Sequence, residues 1–199
     1  MGSTDFTDPV AFYQLFRDVV ADPAHDEQLK SLWRESTEYT AYVTTAIYPA
    51  LAKKSDLRNH DKPYWTIDCI LFDKWDEEHF NKDTQYAKRV YVAIEHENDW
   101  RHSATEMNKL QLLNVPLRVL ITYPNSDKER DKLIDRYKTI IQTAHELFNE
   151  TDSTRRTLVI FGYRHPNFIE RTAYHYTNGQ LQLLTPQTTG QNTPSSVPA

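Results

Sequence analysis

Alternating apolar and polar positions predict two strands in the first half of the chain. One strand spans Tyr64 to Phe72 and carries Asp68 among apolar neighbours. The other spans Val90 to Glu97, and its alternation places Glu95 and Glu97 on one face. The connection between the strands is charged and lacks the pattern of a crossover helix. We therefore expect the two strands to pair antiparallel, with Asp68 facing Glu95 across the ladder.

Apolar residues at helical spacing predict four helices around these strands. Asp8 before Pro9 is a favourable N-cap for the first helix, because its carboxylate can accept from free backbone amides. Ser126 with Glu129 forms a capping box for the last helix. The predicted helices span Pro9 to Val20, about Asp26 to Ala50, about Arg101 to Leu113, and Ser126 to about Phe148.

Further apolar segments predict strands in the second half of the chain. They are Leu117 to Tyr123, Arg156 to Tyr163, and a hairpin over Arg171 to Leu184 that turns at Asn178-Gly179. Because a helix lies between the strand ending at Glu97 and the strand beginning at Leu117, we expect those two strands to be parallel. The predicted fold class is α/β, with a mixed sheet flanked by helices.

The chain of 199 residues fits one domain with a sizeable core. We predict a helical segment over residues 1–25, the main α/β domain over 26–184, and a disordered tail over 185–199. The tail is rich in Thr, Gln, Ser and Pro, and such a composition does not form a packed core.

Composition and charge exclude several classes of protein. No stretch approaches the roughly 20 apolar residues that a membrane helix needs, so we expect neither a membrane span nor a secretory signal. The single cysteine, Cys69, allows no internal disulfide and suits the reducing cytoplasm. The formal net charge of −5 argues against coating nucleic acid by bulk charge, but it leaves room for an enzyme with a local basic groove. The sequence does not decide between a monomer and a homodimer.

Three acids, Asp68, Glu95 and Glu97, stand in apolar strands, where burying a carboxylate is costly. One such acid alone is more often solvated or paired with an arginine. Three converging carboxylates instead form a hard oxygen site, of the kind that binds Mg²⁺ or Mn²⁺. A metal there can activate water and stabilise the charge of a phosphoryl transition state. We therefore predict a Mg²⁺ or Mn²⁺ centre held by these three acids.

The order of these motifs resembles the PD-(D/E)xK nuclease superfamily, the fold of many restriction endonucleases. The resemblance covers Asp26 to Tyr163: an Asp on one strand, Glu-x-Glu ending the next, then a helix and an apolar strand. It implies a restriction-endonuclease-like core and metal-dependent hydrolysis of phosphodiester bonds in DNA. It also implies that Asp68 and Glu95 bind the metal, with the His96 carbonyl as a further ligand. Glu35, from the preceding helix, matches the family's additional acid.

Two positions depart from the family pattern. Ile67 stands before Asp68 where the family often has proline, and Glu97 stands where it usually has lysine. Restriction enzymes of this fold with Glu-x-Glu exist, which implies that Glu97 holds metal or orients the attacking water. Alternatively, Lys109 on the following helix replaces the missing ammonium and steadies the developing charge. The predicted catalytic residues are therefore Asp68, Glu95, Glu97, Lys109 and Glu35.

Two other functions fit the same residues. The chain could be a non-catalytic member of the fold that binds nucleic acid or protein, which its acidic balance and the absent lysine favour. It could also be a metal hydrolase of small phosphorylated substrates. A small closed pocket, rather than a long basic groove, would favour that function. Zinc and Ser-His-Asp chemistry lack their spacing motifs in the sequence.

Overall fold

The computed structural model describes residues 5–33, 35–60, 66–74, 89–149, 151, 155–165 and 168–184. Within these residues, a seven-stranded mixed sheet lies between two layers of helices. This confirms the predicted class, an α/β protein whose mixed sheet is flanked by helices. The tail predicted over 185–199 lies outside the described residues.

Six α-helices and a π-helical turn form the helical layers in the described part of the chain. Their bounds are α1 Pro9–Val20, α2 Pro23–Ser31, α3 Ser36–Tyr42, the π turn Val43–Ile47, α4 Tyr48–Lys54, α5 Ser103–Gln111 and α6 Asp127–Phe148. Asp8 caps α1 through its carboxylate and Ser126 caps α6 through its hydroxyl, as predicted. None of the helices in the described residues is both long and apolar enough to cross a membrane.

The strands follow one another across the sheet in chain order. Their bounds are β1 Arg58–Asn59, β2 Cys69–Phe72, β3 Val90–Glu97, β4 Leu117–Thr122, β5 Arg156–Arg164, β6 Ile169–Thr177 and β7 Gln180–Leu183. β3 pairs antiparallel with β2 and parallel with β4, which confirms both predicted pairings. β6 and β7 form the predicted hairpin, in which Asn178 and Gly179 both have positive φ.

One apolar cluster on each face of the sheet joins the layers. On the first face the side chains of α1 to α4 and the π turn cover the sheet, among them Phe12, Phe16, Leu29, Tyr39, Ile47, Tyr48, Leu71, Val92, Ile94 and Ile121. On the second face α5 and α6 cover it, with Met107, Leu110, Leu133, Tyr137, Ile70, Ala93, Leu120, Val159 and Phe161. Helix α1, from the segment predicted over residues 1–25, therefore packs on the same sheet as the main domain.

The single helix predicted from Asp26 to Ala50 is wrong, because the chain leaves helical geometry within it. α2 ends at Ser31, α3 begins at Ser36, and a π turn separates α3 from α4. The first break lets the Trp33 ring pack edge-on against Tyr123 of the sheet. The π turn precedes Pro49, whose ring cannot share a regular helix with the carbonyl four residues before it.

The first predicted strand is shorter than expected. β2 begins at Cys69, Asp68 lies in a bend, and residues 61–65 lie outside the described residues. Strict alternation predicts Ile67 on the face of Cys69, but Ile67 packs on the opposite face with Ile70. The bend at Asp68 therefore breaks the alternation, and its carboxylate lies where β2 stops pairing with β3.

Gly162 on β5 is required by the ring of Tyr123. A Cβ built on Gly162 would overlap the Tyr123 ring, which is buried among the first-face aromatic side chains. We predict that Gly162→Ala lowers the free energy of unfolding by about 1–3 kcal/mol, the usual cost of overpacking a core. Chemical denaturation would measure this loss. In a Tyr123→Leu background the same change should cost less, and an equal cost in both backgrounds would contradict the clash.

Candidate functional site

Glu95 and Lys109 meet on the second face of the sheet, near the carboxyl end of β3. Glu95 is 1% exposed, and Lys109 reaches it from α5. Lys109 Nζ lies 2.8 Å from Glu95 Oε1 and donates a hydrogen bond of 2.6 Å to the Thr66 carbonyl. Lys109 also forms an ion pair with Glu106, one helical turn earlier on α5. The lysine thus joins β3, α5 and the segment before β2.

Asp68 is fixed beside Glu95 by the backbone of β3. Its Oδ2 accepts a hydrogen bond of 2.8 Å from the His96 amide. The pairing of β2 with β3 ends at Cys69, which pairs with Ile94, and Asp68 precedes Cys69 in a bend. The Asp68 charge contributes to the pKa of Glu95, which places the two carboxyl groups in one electrostatic environment. The structure therefore brings together Asp68, Glu95 and Lys109.

The electrostatics of this group are dominated by burial. Burial raises the pKa of Glu95 to about 9; Lys109 opposes the shift, while Asp68 and Glu106 add to it. Partial burial acts to lower the pKa of Lys109, but its contacts with Glu106 and Glu95 outweigh this and raise the pKa above its usual value. Lys109 consequently stays charged at neutral pH, whereas Glu95 holds a proton more readily than an ordinary glutamate.

Glu97 has a different immediate partner. Its Oε1 accepts a hydrogen bond of 2.7 Å from the Asp99 amide, in the turn after β3. The Asp99 carboxylate in turn binds the Arg101 guanidinium through two hydrogen bonds, of 2.8 and 2.6 Å. Glu97 therefore shapes the turn that leads from β3 to α5.

Glu35 lies apart from this group. It is exposed and immediately precedes α3, in the helical layer on the first face of the sheet. Lys109 and Glu95 lie on the second face, with α5. The described residues therefore do not bring Glu35 together with the acids of β3.

The His96 side chain anchors the end of β3 on the first face. Its ring stacks on Tyr39 with centroids 5.7 Å apart, and its Nε2 lies 2.7 Å from the Tyr123 hydroxyl. The Tyr123 hydroxyl is 3.2 Å from that of Tyr39. The residue whose amide holds Asp68 is therefore itself held by aromatic side chains from α3 and the end of β4.

Sequence reasoning missed Glu106 and the aromatic anchor. Glu106 and Lys109 have the i, i+3 spacing of a helical ion pair, which is a signal in the sequence. That signal is typical of any solvated helix face, so it did not point to the acids of β3. The aromatic anchor joins residues far apart in the chain and has no local signal.

A polar cleft opens at the carboxyl ends of β3 and β4. Its volume is about 520 Å³, and its walls include Asn98, Trp100 and Arg101 after β3 and Asn125 after β4. Open α/β sheets bind ligands at this end of parallel strands. The cleft begins beside the turn that Glu97 shapes, and Ser36 and Tyr123 from the first face also line it.

A larger cavity, of about 730 Å³, lies near the other end of β3, beside Tyr91 and Pro116. Three aspartates in its wall each form an ion pair with a basic side chain: Asp5 with Arg156, Asp56 with Lys74, and Asp73 with Arg89. Tyr91 is four residues before Glu95, about 13 Å along a strand. The larger cavity is therefore separate from the candidate site.

Asp68 and Glu95 are the two carboxylates near β3 that could hold a hard cation. Among the described residues, no three His, Cys, Asp or Glu side chains are grouped so that they could hold a metal ion. Asp68 and Glu95 alone still match Mg²⁺, which keeps several waters and is often bound by one or two carboxylates together with substrate phosphates. A carboxylate buried as deeply as Glu95 also gains from a nearby cation.

The chain matches no protein-family model and no curated protein. In the structure, β2 and β3 form an antiparallel pair, which is followed by α5 and by the parallel strand β4.

The raised pKa of Glu95 predicts a pH-dependent stability. Below the ordinary pKa of 4.5, Glu95 is protonated in both the folded and the unfolded chain. Between that pH and about 9 the unfolded chain loses the proton while the folded protein keeps it, so the free energy of unfolding falls as pH rises. Glu95→Gln removes this loss. Its melting temperature should exceed the parent's by several degrees near pH 8 and by little near pH 4.5.

Thermal unfolding of both proteins across this pH range measures the difference. Glu38→Gln is a matched control, because Glu38 is an exposed helical glutamate. A gain for Glu95→Gln that is the same at both ends of the range would contradict the raised pKa.

Proposed function

We propose that the protein is a metal-dependent nuclease that hydrolyses phosphodiester bonds in DNA, on a restriction-endonuclease-like core. One observation carries this proposal: a lysine from α5 contacts the buried Glu95 beside Asp68. The PD-(D/E)xK pattern requires two acids and an ammonium group. Here the chain has Glu97 at the usual lysine position, and Lys109 lies at the acids from a different element.

The acids have the first role in this proposal. Asp68 and Glu95 would hold Mg²⁺ or Mn²⁺, with the His96 carbonyl as a further ligand. When bound, such an ion supplies an activated water and neutralises charge at the scissile phosphate. The hydrogen bond from the His96 amide keeps the Asp68 carboxylate oriented toward β3. Glu97 supports the same end of β3 by holding the turn at Asp99.

Lys109 has the second role. Its ammonium group is fixed by the Thr66 carbonyl and by two glutamates, so it is positioned before substrate binds. Its raised pKa keeps it charged at neutral pH. A fixed positive charge beside the acids can stabilise the negative charge that develops on a phosphate in the transition state. Glu35, the additional acid that the resemblance implies, is exposed immediately before α3, and its role stays a prediction.

A non-catalytic binding protein of the same fold is the second candidate. The observation that favours it is that Lys109 already contacts Glu95 without a metal. In that protein, Asp68, Glu95 and Lys109 would stabilise the contact between β3 and α5. The two candidates differ in whether a divalent cation competes with Lys109 for Glu95.

A divalent cation should stabilise the folded protein, because a ligand that binds only the folded state raises the melting temperature by mass action. We predict a rise of a few degrees with millimolar Mg²⁺ or Mn²⁺ near pH 8. Asp68→Asn should remove most of this rise, since Asn keeps an acceptor for the His96 amide but has no charge. Asp135→Asn, an exposed acid on α6, is the control and should keep it. An equal rise in Asp68→Asn and the parent would contradict the site.

Cleavage of DNA tests the activity. Glu95→Ala should abolish Mg²⁺- or Mn²⁺-dependent cleavage while the fold is retained. Lys109→Ala should lower the single-turnover rate by roughly 10²-fold or more, the effect of losing one charge-stabilising donor. Lys132→Ala, an exposed lysine on α6, should keep the parent rate.

Two outcomes would count against these roles. A parental rate in Lys109→Ala would exclude the lysine and leave Glu97 as the third working residue. No cleavage by the metal-loaded parent, on duplex, single-stranded or modified DNA or on RNA, would contradict the nuclease and favour the binding protein.

A further inference from the structure

The cleft after β3 and β4 has the chemistry of a nucleotide site. Its volume of about 520 Å³ lies within the roughly 300–1,000 Å³ typical of ligand pockets. Its walls combine an aromatic ring, Trp100, with the amide side chains of Asn98 and Asn125. An indole can stack on a base, and an amide offers both a donor and an acceptor to a base edge. Such a surface suits a base that is not paired with a complementary strand.

The cleft is built on fixed parts of the fold. Asn98 Nδ2 donates to Thr40 Oγ1 at 2.6 Å and to the Ser36 carbonyl at 3.4 Å. These contacts tie the wall after β3 to α3 on the first face. Trp100 packs against the apolar cluster of the second face. The cleft thus spans the end of the sheet between the two helical layers, and it is already open in the structure.

An ion pair between Arg101 and Asp99 stands in the wall of the cleft. The Arg101 side chain is 70% exposed while two of its nitrogens bind Asp99, so its position is set and its outer edge faces solvent. Helix α5 begins two residues later, and no side chain in the described part of the chain caps its N-terminus. The exposed edge of the Arg101 guanidinium, next to the N-terminus of α5, can donate a hydrogen bond to a phosphate oxygen.

We infer that this cleft takes one unpaired nucleotide of the DNA strand, next to the bond that is cut. The inference rests on the proposed nuclease function and names its substrate class. Glu97 connects the cleft to Glu95, because it lies two residues after Glu95 and accepts a hydrogen bond from the amide of Asp99 in the cleft wall. The preferred substrate is therefore DNA with a single-stranded overhang or flap, rather than a blunt duplex in which every base is paired.

Binding measured without cleavage tests this inference. The probe is a fluorescent duplex that is either blunt or carries a three-nucleotide 5′ or 3′ overhang, titrated by anisotropy in EDTA or Ca²⁺. The parent should bind one of the overhung duplexes roughly fivefold or more tightly than the blunt duplex, as expected for one stacked base. A 2-aminopurine in that overhang should lose fluorescence on binding, because stacking on Trp100 quenches it.

Variants locate the effect in the cleft. Asn125→Ala and Trp100→Leu should each reduce the preference for the overhang. Because Asn125 is exposed, Asn125→Ala should fold and can test the cleft even if Trp100→Leu is unstable. Asn114→Ala is the matched control and should keep the preference, because Asn114 precedes β4 at the opposite end of the sheet.

Failure of this inference can be told from failure of the proposed function. Equal affinity of the parent for blunt and overhung duplexes would overturn the cleft site, even if the protein cleaves DNA. An overhang preference that Asn125→Ala and Trp100→Leu both retain would overturn it as well. An overhang preference lost in those variants, in a protein that cleaves no DNA, would support the cleft site and contradict the nuclease.

Discussion

The burial of the Glu95 carboxylate is the constraint on which this site depends. A buried carboxylate is stable only when it is neutral or compensated by a nearby positive charge. Here both occur in part: burial raises the pKa to about 9, and Lys109 lies 2.8 Å away. At the pH where its carboxylate would bind a cation best, Glu95 therefore lowers the free energy of unfolding of the metal-free protein. A glutamine in its place would avoid that loss, and the proposed metal site would give the carboxylate a role.

His96 links this constraint to the rest of the molecule. Its amide holds Asp68, while its ring is fixed on the opposite face by Tyr39 and Tyr123. Gly162 on the neighbouring strand leaves the room that the Tyr123 ring needs. The ring contacts on the first face therefore help to fix the strand whose amide holds Asp68. The helical layer of α3 thus supports the geometry of the site without supplying a residue to it.

The central unit was predictable because its signals are local. Alternation gave β3 with Glu95 and Glu97, and the helix between β3 and β4 predicted their parallel pairing. The sequence predicts a role for Lys109 but not its position. Its contact with Glu95 depends on how α5 packs, which no local pattern encodes. The helix over residues 26–50 was wrong because tertiary contacts of Trp33 and the proline in α4 outweighed a continuous apolar stripe. Glu106 was missed since its pairing with Lys109 resembles an ordinary surface ion pair.

The most direct test is to locate a cation in a crystal soaked with Mn²⁺ near pH 8, using its anomalous scattering. We predict a peak roughly 2.1–2.3 Å from carboxylate oxygens of both Asp68 and Glu95. We also predict that Lys109 Nζ lies farther from Glu95 than the 2.8 Å of the metal-free protein. A map without a peak at these acids, in which Lys109 keeps its contact with Glu95, would contradict the metal site and identify the three residues as a structural ion-pair group.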